Sequence, residues 1–559
     1  MRQSSKMTVK KQFTVRVYPT GFGSCLGGPV FSSEVDPGWS DTSTARVSQR
    51  AAFPEARRVE AACDLMVAGI RELVGRHRYD GVIQDLSPSG VAAGLARIGQ
   101  GPPPEDAHDR AHLEIMEAGL HWTYGQYQEH RRNPLAHIGA LDLSVYDRAY
   151  APAEERQAAR ATHLAAWPEA IDNAVASLDA VPADVARALL PVAIGLVEGL
   201  DPETEPAGPA TTAQALAAHQ RFVVHLQQLA ETGDPVCAIG ETALATELGV
   251  WDGITVDLEE LARRADAERD RLHDLLTEAC GRIDPGVKVG ELVPRLLADH
   301  PDLDGVLAEA ATLTREVIEF TREHRLAPYT DGVCLVEPAP PSRSWATAMM
   351  SWSGPEETDT PSWYYVTPPD PSWEPAAIEE WLSVFARVTL PAITIHEVAP
   401  GHYAHSRALR RLASPVRRQL FSGAFIEGWA HYVEEAVIDE GFRGGDAKYQ
   451  VGMCLEALVR VTRLACSIGL HTGEMTVEQA AERFTKDAFL GGSAARSEAN
   501  RGTFDVSYGR YTQGKLAMLE LREQARAGWG SGFTLERFHA AVLSLGAPPL
   551  GLLPAALRA

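Results

Sequence analysis

The sequence predicts a mainly α-helical protein with one small β element just before the segment richest in reactive side chains. Three observations carry this. Apolar residues recur at helical spacing across most of the 559 residues. That period lapses between Thr330 and Pro375, where strand-forming residues sit among prolines. It then returns with WEPAAIEEWLSVF and holds to the C-terminus.

Taken in order, residues 1–50 lack helical periodicity and are rich in Gly, Ser and Thr, which predicts an irregular N-terminal arm. From Ala51 to about Leu200 the helical pattern is long, as in RRVEAACDLMVAGIRELVGRHRY and PADVARALLPVAIGLVEGL, with a break at GPPPED. DPETEPAGPA (201–210) reads as a connector. Helices resume in TTAQALAAHQRFVVHLQQLAE, LEELARRADAERDRLHDLLTEACGR and LDGVLAEAATLTREVIEFTREHR. Residues 51–325 thus form a helical N-terminal half expected to cover the site, and residues 326–559 the half that carries it. Within the second half, CLVEPAP and SWYYVTPP predict strands, and the later helices are interrupted at SPVRR, GFRGG, LGGSAARSEANRG and GWGSG.

Composition excludes several partners. With 75 acidic against 52 basic residues the formal charge is −23, which repels phosphate backbones and anionic lipid, so neither nucleic acid nor membrane is expected. Seven scattered cysteines without a CxxC offer no disulfide framework and no thiolate cage, and point to a reduced, cytoplasmic compartment. The basic N-terminus is interrupted by charge and Pro19 before a signal h-region forms, so no cleaved leader is expected. Gly-rich GFGSCLGG (21–28) lacks the third glycine of GxGxxG and the GK of a P-loop, and GGSAA (491–495) falls short of a nucleophile elbow.

The chemistry concentrates in Thr394-Ile-His-Glu-Val-Ala-Pro-Gly-His402. A His-Glu pair followed by a second histidine suggests two imidazole ligands and a general base on a metal-binding helix. Histidines four apart share a helix face, but six apart leaves them roughly 120° out of alignment. Pro400 and Gly401 between them predict that the helix bulges or breaks and swings His402 back toward His396. Downstream, Glu427, His431 and Glu434 share a helix face at i, i+4 and i+7. Glu427 lies among Phe425, Ile426, Gly428 and Trp429, where an unpartnered carboxylate is costly. Two histidines and a glutamate from a second helix match a catalytic zinc site with an open position for water, although manganese or cobalt fits the same ligands. The arginines at 407, 410, 411, 417 and 418 read as a solvated face beyond it.

The motifs TIHEVAPGHYAH (394–405), EGWAHYVEE (427–435), RLACSIGLH (463–471), EANR with YTQGKLAMLELREQA (498–525) and FHAAVLSLGAPPLGLL (538–553) stand in the order of a known family. The chain resembles the bacterial domain-of-unknown-function 885 proteins, grouped with the gluzincin zinc peptidases. The resemblance implies a large multi-helix gluzincin-like peptidase body, with His396, His402 and Glu427 as zinc ligands and Glu397 as catalytic base. Tyr511 falls at the family's tyrosine before its Gly-Lys helix, where a phenol donor would stabilise an oxyanion; Tyr508 is its rival. His471 is a catalytic candidate, against a buried structural histidine. Arg501 is a substrate-binding candidate able to grip a peptide carboxylate, against an ion pair with Glu498. Three departures stand out: Tyr403 replaces a further histidine common after PGH, Ser467 replaces an aspartate, and Gly502 replaces an aromatic residue.

Together these features lead us to expect a zinc-dependent hydrolase, a carboxypeptidase- or oligopeptidase-like enzyme acting on short peptides. The alternatives are an amidase on a non-peptide substrate and a helical binding protein with a vestigial site. The sequence leaves the oligomeric state open.

Overall fold

The computed structural model describes residues 13–17, 56–340, 343, 346–358 and 360–558. The fold is mainly helical with one four-stranded sheet. Its strands are β1 (Phe13–Val17), β2 (Gly332–Pro338), β3 (Ala348–Ser351) and β4 (Ser362–Val366), in the order β1-β2-β4-β3. β2 and β4 run parallel, pairing Cys334 with Ser362 and Val336 with Tyr364, while β1 and β3 flank them antiparallel. The two strands expected from CLVEPAP and SWYYVTPP are thus the central pair. β1 corrects the expectation of a wholly irregular arm: F-T-V-R-V is rich in β-branched and aromatic residues, and it supplies an edge strand. The rest of residues 1–50 lies outside the described residues.

Long helices make up the remainder. We label α1 (Ala153–Ser177), α2 (Ala183–Gly195), α3 (Pro209–Thr232), α4 (Leu258–Ile283) and α5 (Leu303–Glu323) in the first half. In the second half are α6 (Leu390–Glu397), α7 (His402–Leu409), α8 (Gly423–Asp439), α9 (Ala447–Thr472), α10 (Gly492–Phe504) and α11 (Arg510–Trp529). Capping follows sequence: Asp302 caps α5 by accepting from Gly305 N at 2.9 Å, and Ser422 caps α8 by accepting from Phe425 N at 3.0 Å.

The principal core draws on Leu244–Ala327 as well as on Cys334–Ala556, so α4 and α5 pack with the C-terminal half. The amphipathic faces of α4 and α5 are buried against α9 and α6. Residues 138–237, including α1–α3, form a separate core. A third core joins residues 59–120 to Val416 and Leu420. Buried ion pairs tie these helices to the sheet region: Arg148 reaches Glu357 at 2.9 Å, and Arg76 reaches Glu356 at 2.6 Å. Among the described residues no single helix is long and apolar enough to cross a membrane.

Candidate metal centre

Every residue of α6 is buried, and it ends in His396 and Glu397. The helix then breaks as the sequence predicts. Val398 adopts φ −105°, ψ −86°, the Ala399–Pro400 bond is cis, and α7 begins at His402. Gly401 is needed for closeness, not for a positive φ, which here is −68°. A Cβ on it would press on the carbonyl oxygens of Ile395 and His396, inside the 3.0 Å that real Cβ atoms keep. Gly401 N instead donates to Ile395 O at 3.2 Å, and Trp429 Nε1 on α8 donates to Pro400 O at 2.9 Å. The break thereby aims both imidazoles at one point, with ring centroids 4.7 Å apart and planes at 82°.

α8 supplies the carboxylate. Glu427 Oε2 lies 3.4 Å from His396 Nε2 and 3.4 Å from His402 Nε2, and the three ligand atoms lie within 4.8 Å of one another. Ligands about 2.0–2.2 Å from a tetrahedral zinc are separated by roughly 3.3–3.6 Å, so this donor set fits the ion. Burial alone would raise the Glu427 carboxyl, but the two imidazoles bonded to it hold it well below its ordinary value. His396 is oriented from behind: its Nδ1 donates to Glu434 Oε1 at 2.6 Å, which leaves Nε2 for the metal. Glu434 is fully buried and also faces Arg460 at 3.3 Å. Arg460, despite burial, keeps Glu434 ionised far below the usual carboxylate range. Glu397 makes no hydrogen bond to protein among the described residues, and its Oε2 is sealed from solvent.

Residues 69–557 match the family described as bacterial protein of unknown function (DUF885). The chain belongs to this family. Two solved structures share its fold. A chain described as a putative lipoprotein of unknown function from Shewanella oneidensis has 19% identity and a TM-score of 0.70, covering 91% of this chain and 100% of its own. A chain described as the putative lipoprotein from Colwellia psychrerythraea has 17% identity and a TM-score of 0.71, covering 90% of this chain and 98% of its own. No curated protein matches.

In this DUF885 chain the remaining candidates separate cleanly. Tyr511, at the start of α11, lies beside the centre, its ring 6.2 Å from that of His396 and inclined by 21°. It arrives there because α8 and α11 cross backbone to backbone at Gly428 and Gly514, where a Cβ on either would strike the other helix. Arg501 reaches the Tyr511 hydroxyl at 3.4 Å, but its salt-bridge partner is Asp505 at 2.9 Å, while Glu498 pairs with Arg463. His471 does not join the site. It is fully buried, its Nε2 bonds Gly502 O at 2.8 Å, and it sits about 16 Å along α9 from Arg460. Tyr508 does not join it either, being fully buried with Cys466, Leu470 and Phe484 in a separate core. Both corrections have one cause: α9 and α10 pack these residues into their own interface.

Sequence reasoning missed Glu434's role as the His396 partner, although its i+7 placement from Glu427 was visible. It also missed Arg460 and Arg463, which α9 presents to the site from long range. Tyr403, at the family's extra histidine, turns away and donates to Asp331 O at 2.7 Å, so no ligand is lost. The rival imidazole of His405 bonds Gly546 O at 3.1 Å. Of the arginines read as a solvated face, Arg411 is exposed, whereas Arg407 pairs with Asp331 at 2.7 Å and Arg417 with Asp109 at 2.6 Å. Arg410 anchors the helix of His402 by donating to Ser353 Oγ and Gly354 O, each at 2.8 Å.

Proposed function

We propose that this protein is a zinc-dependent hydrolase that cleaves short peptides. One observation carries the reading: three ligand atoms within 4.8 Å of one another stand next to a buried carboxylate, Glu397, that has no hydrogen bond among the described residues. A purely structural metal site needs no such base; a hydrolytic one does. His396, His402 and Glu427 would hold the ion, which when bound supplies Lewis acidity to a carbonyl and to a water molecule. Glu397 takes the proton from the attacking water and returns it to the leaving amine. Tyr511 offers its hydroxyl to the oxygen on which charge develops. Glu434 holds the His396 tautomer throughout.

Enclosure favours small substrates. His396 and His402 keep only 4% and 8% of their side-chain surface, so a folded protein cannot reach them. The gluzincin-like kinship belongs to this same reading. Six described cysteines, all free and buried, support a reducing, cytoplasmic setting, and the charge of −23 supports a protein without nucleic-acid or membrane partners.

Elemental analysis and peptide turnover test the proposal together. One zinc per chain is expected, lost in His402→Ala and retained in His405→Ala. Glu397→Gln should bind zinc normally yet lose about 10²–10⁴ in turnover. Wild-type protein that binds no divalent metal, or a Glu397→Gln variant with full turnover, would overturn the reading.

A further inference from the structure

Beside the metal ligands lies a cluster of cations that the proposed hydrolysis does not use. α9 carries Arg460, which touches His396, and one turn on carries Arg463. Arg463, Arg501 and Arg510 surround the ring of Tyr511, their guanidinium carbons 5.0, 5.9 and 5.8 Å from its centroid. Two carboxylates serve these three cations. Glu498 takes both bonds of Arg463, at 2.7 and 2.6 Å, and Asp505 is shared between Arg501 and Arg510. One positive charge is left over.

The unused donors are specific. Arg463 Nη1 and Arg501 Nη1 have no protein partner among the described residues, and neither is among the atoms sealed from solvent. The side chains of Arg463, Arg501 and Arg510 keep 13%, 16% and 24% of their surface although protein encloses them. These guanidinium groups thus keep some contact with solvent. Across from Asp505, burial raises Glu129 to about 8 and lifts Glu247 above its ordinary value, so these carboxyls cancel less of the surplus than their number suggests.

Resting on the peptidase reading above, we propose that Arg463, Arg501 and Arg510 form the receptor for the free C-terminal carboxylate of the peptide substrate. Guanidinium N–H groups already fixed by Glu498 and Asp505 are preorganised donors, and their planar forks match a carboxylate. Each guanidinium carbon lies within 5.9 Å of the Tyr511 ring centre, itself 6.2 Å from that of His396, which bounds the spacing. At roughly 3.5 Å per extended residue, the arginines lie within about three residues of the ligand histidine. The fragment released should therefore be one to three residues long.

The test compares an N-acetylated hexapeptide with its C-terminal amide, both for binding to metal-free protein by calorimetry and for cleavage by the zinc-loaded protein with mass analysis of products. The free acid should bind at least about tenfold tighter than the amide, a gap of the size a charge-assisted pair provides. Arg501→Gln should shrink that gap to about threefold or less, and the products should be fragments of one to three C-terminal residues. Equal binding of acid and amide by the wild type, or cleavage only at the amino end, would overturn the carboxylate receptor. That comparison needs no variant, so a misfolded Arg501→Gln leaves it intact. If neither peptide is cleaved but the acid still binds preferentially, the receptor stands and the hydrolase reading falls.

Discussion

Glu434→Gln isolates the contribution of the carboxylate behind His396. In the wild type His396 Nδ1 donates to Glu434 Oε1 at 2.6 Å in a fully buried setting. A hydrogen bond to a charged acceptor contributes about 1.5–3 kcal/mol, and one to a neutral amide about 1 kcal/mol. The exchange thus removes roughly 0.5–2 kcal/mol of support for the liganding tautomer, and at about 1.4 kcal/mol per tenfold zinc should bind some 2- to 30-fold more weakly. The upper part of that range meets the 10- to 100-fold typical of lost outer partners. Arg460 retains Glu456 at 3.2 Å, so the fold should survive. Glu434→Ala is the poorer choice, because stripping one partner from a buried pair costs about 3–5 kcal/mol in stability. The assay is competition for zinc against a chelator of known affinity, with thermal melting to verify folding. A folded Glu434→Gln variant at least as zinc-avid as the wild type would refute the reasoning. Glu434 would then be only a counter-ion for Arg460.

Other outcomes follow from the same geometry. Gly401→Ala should destabilise by at least about 1–3 kcal/mol and impair zinc binding, since its Cβ meets backbone; Gly281→Ala, in open space within α4, should be neutral or stabilising by calorimetry. Tyr511→Phe should lower kcat by about 10²-fold with zinc affinity unchanged, as read from steady-state kinetics and chelator competition. His471→Gln should lower the melting temperature while the folded fraction keeps its kcat, because its ring serves a backbone carbonyl. Burial raises Glu129 to about 8 from its ordinary 4.5. The folded state therefore holds the extra proton between 4.5 and about 8, and stability contributed by the neutral acid is lost progressively across that interval, the loss being complete by about pH 8. In melting curves from pH 5 to 9, Glu129→Gln should gain on the wild type steadily up to about pH 8 and keep a constant advantage above it.

The candidate ligands were legible because their chemistry is local. His396-Glu397, Pro400-Gly401-His402 and Glu427 lie in two short motifs, and the mismatch with helical pitch itself announced the break. The central strands were legible from their β-branched and aromatic residues. His471 and Tyr508 stand apart from the three candidate ligands because sequence order does not reveal which way a residue on α9, or in the segment between α10 and α11, faces; both turn inward. Arg463 and Arg510 escaped notice for the converse reason. A lone arginine on a helix looks solvated until three helices converge on one tyrosine.

The crossing at Gly428 and Gly514 bears on which helices can move against one another. With no side chains between them, α8 and α11 have no compliant layer through which to slide, and shear between packed helices needs such a layer. Glu427 and Tyr511 consequently travel as one rigid block. The N-terminal helices α1–α3 pack into a core of their own, so amide exchange should be faster there than at this crossing.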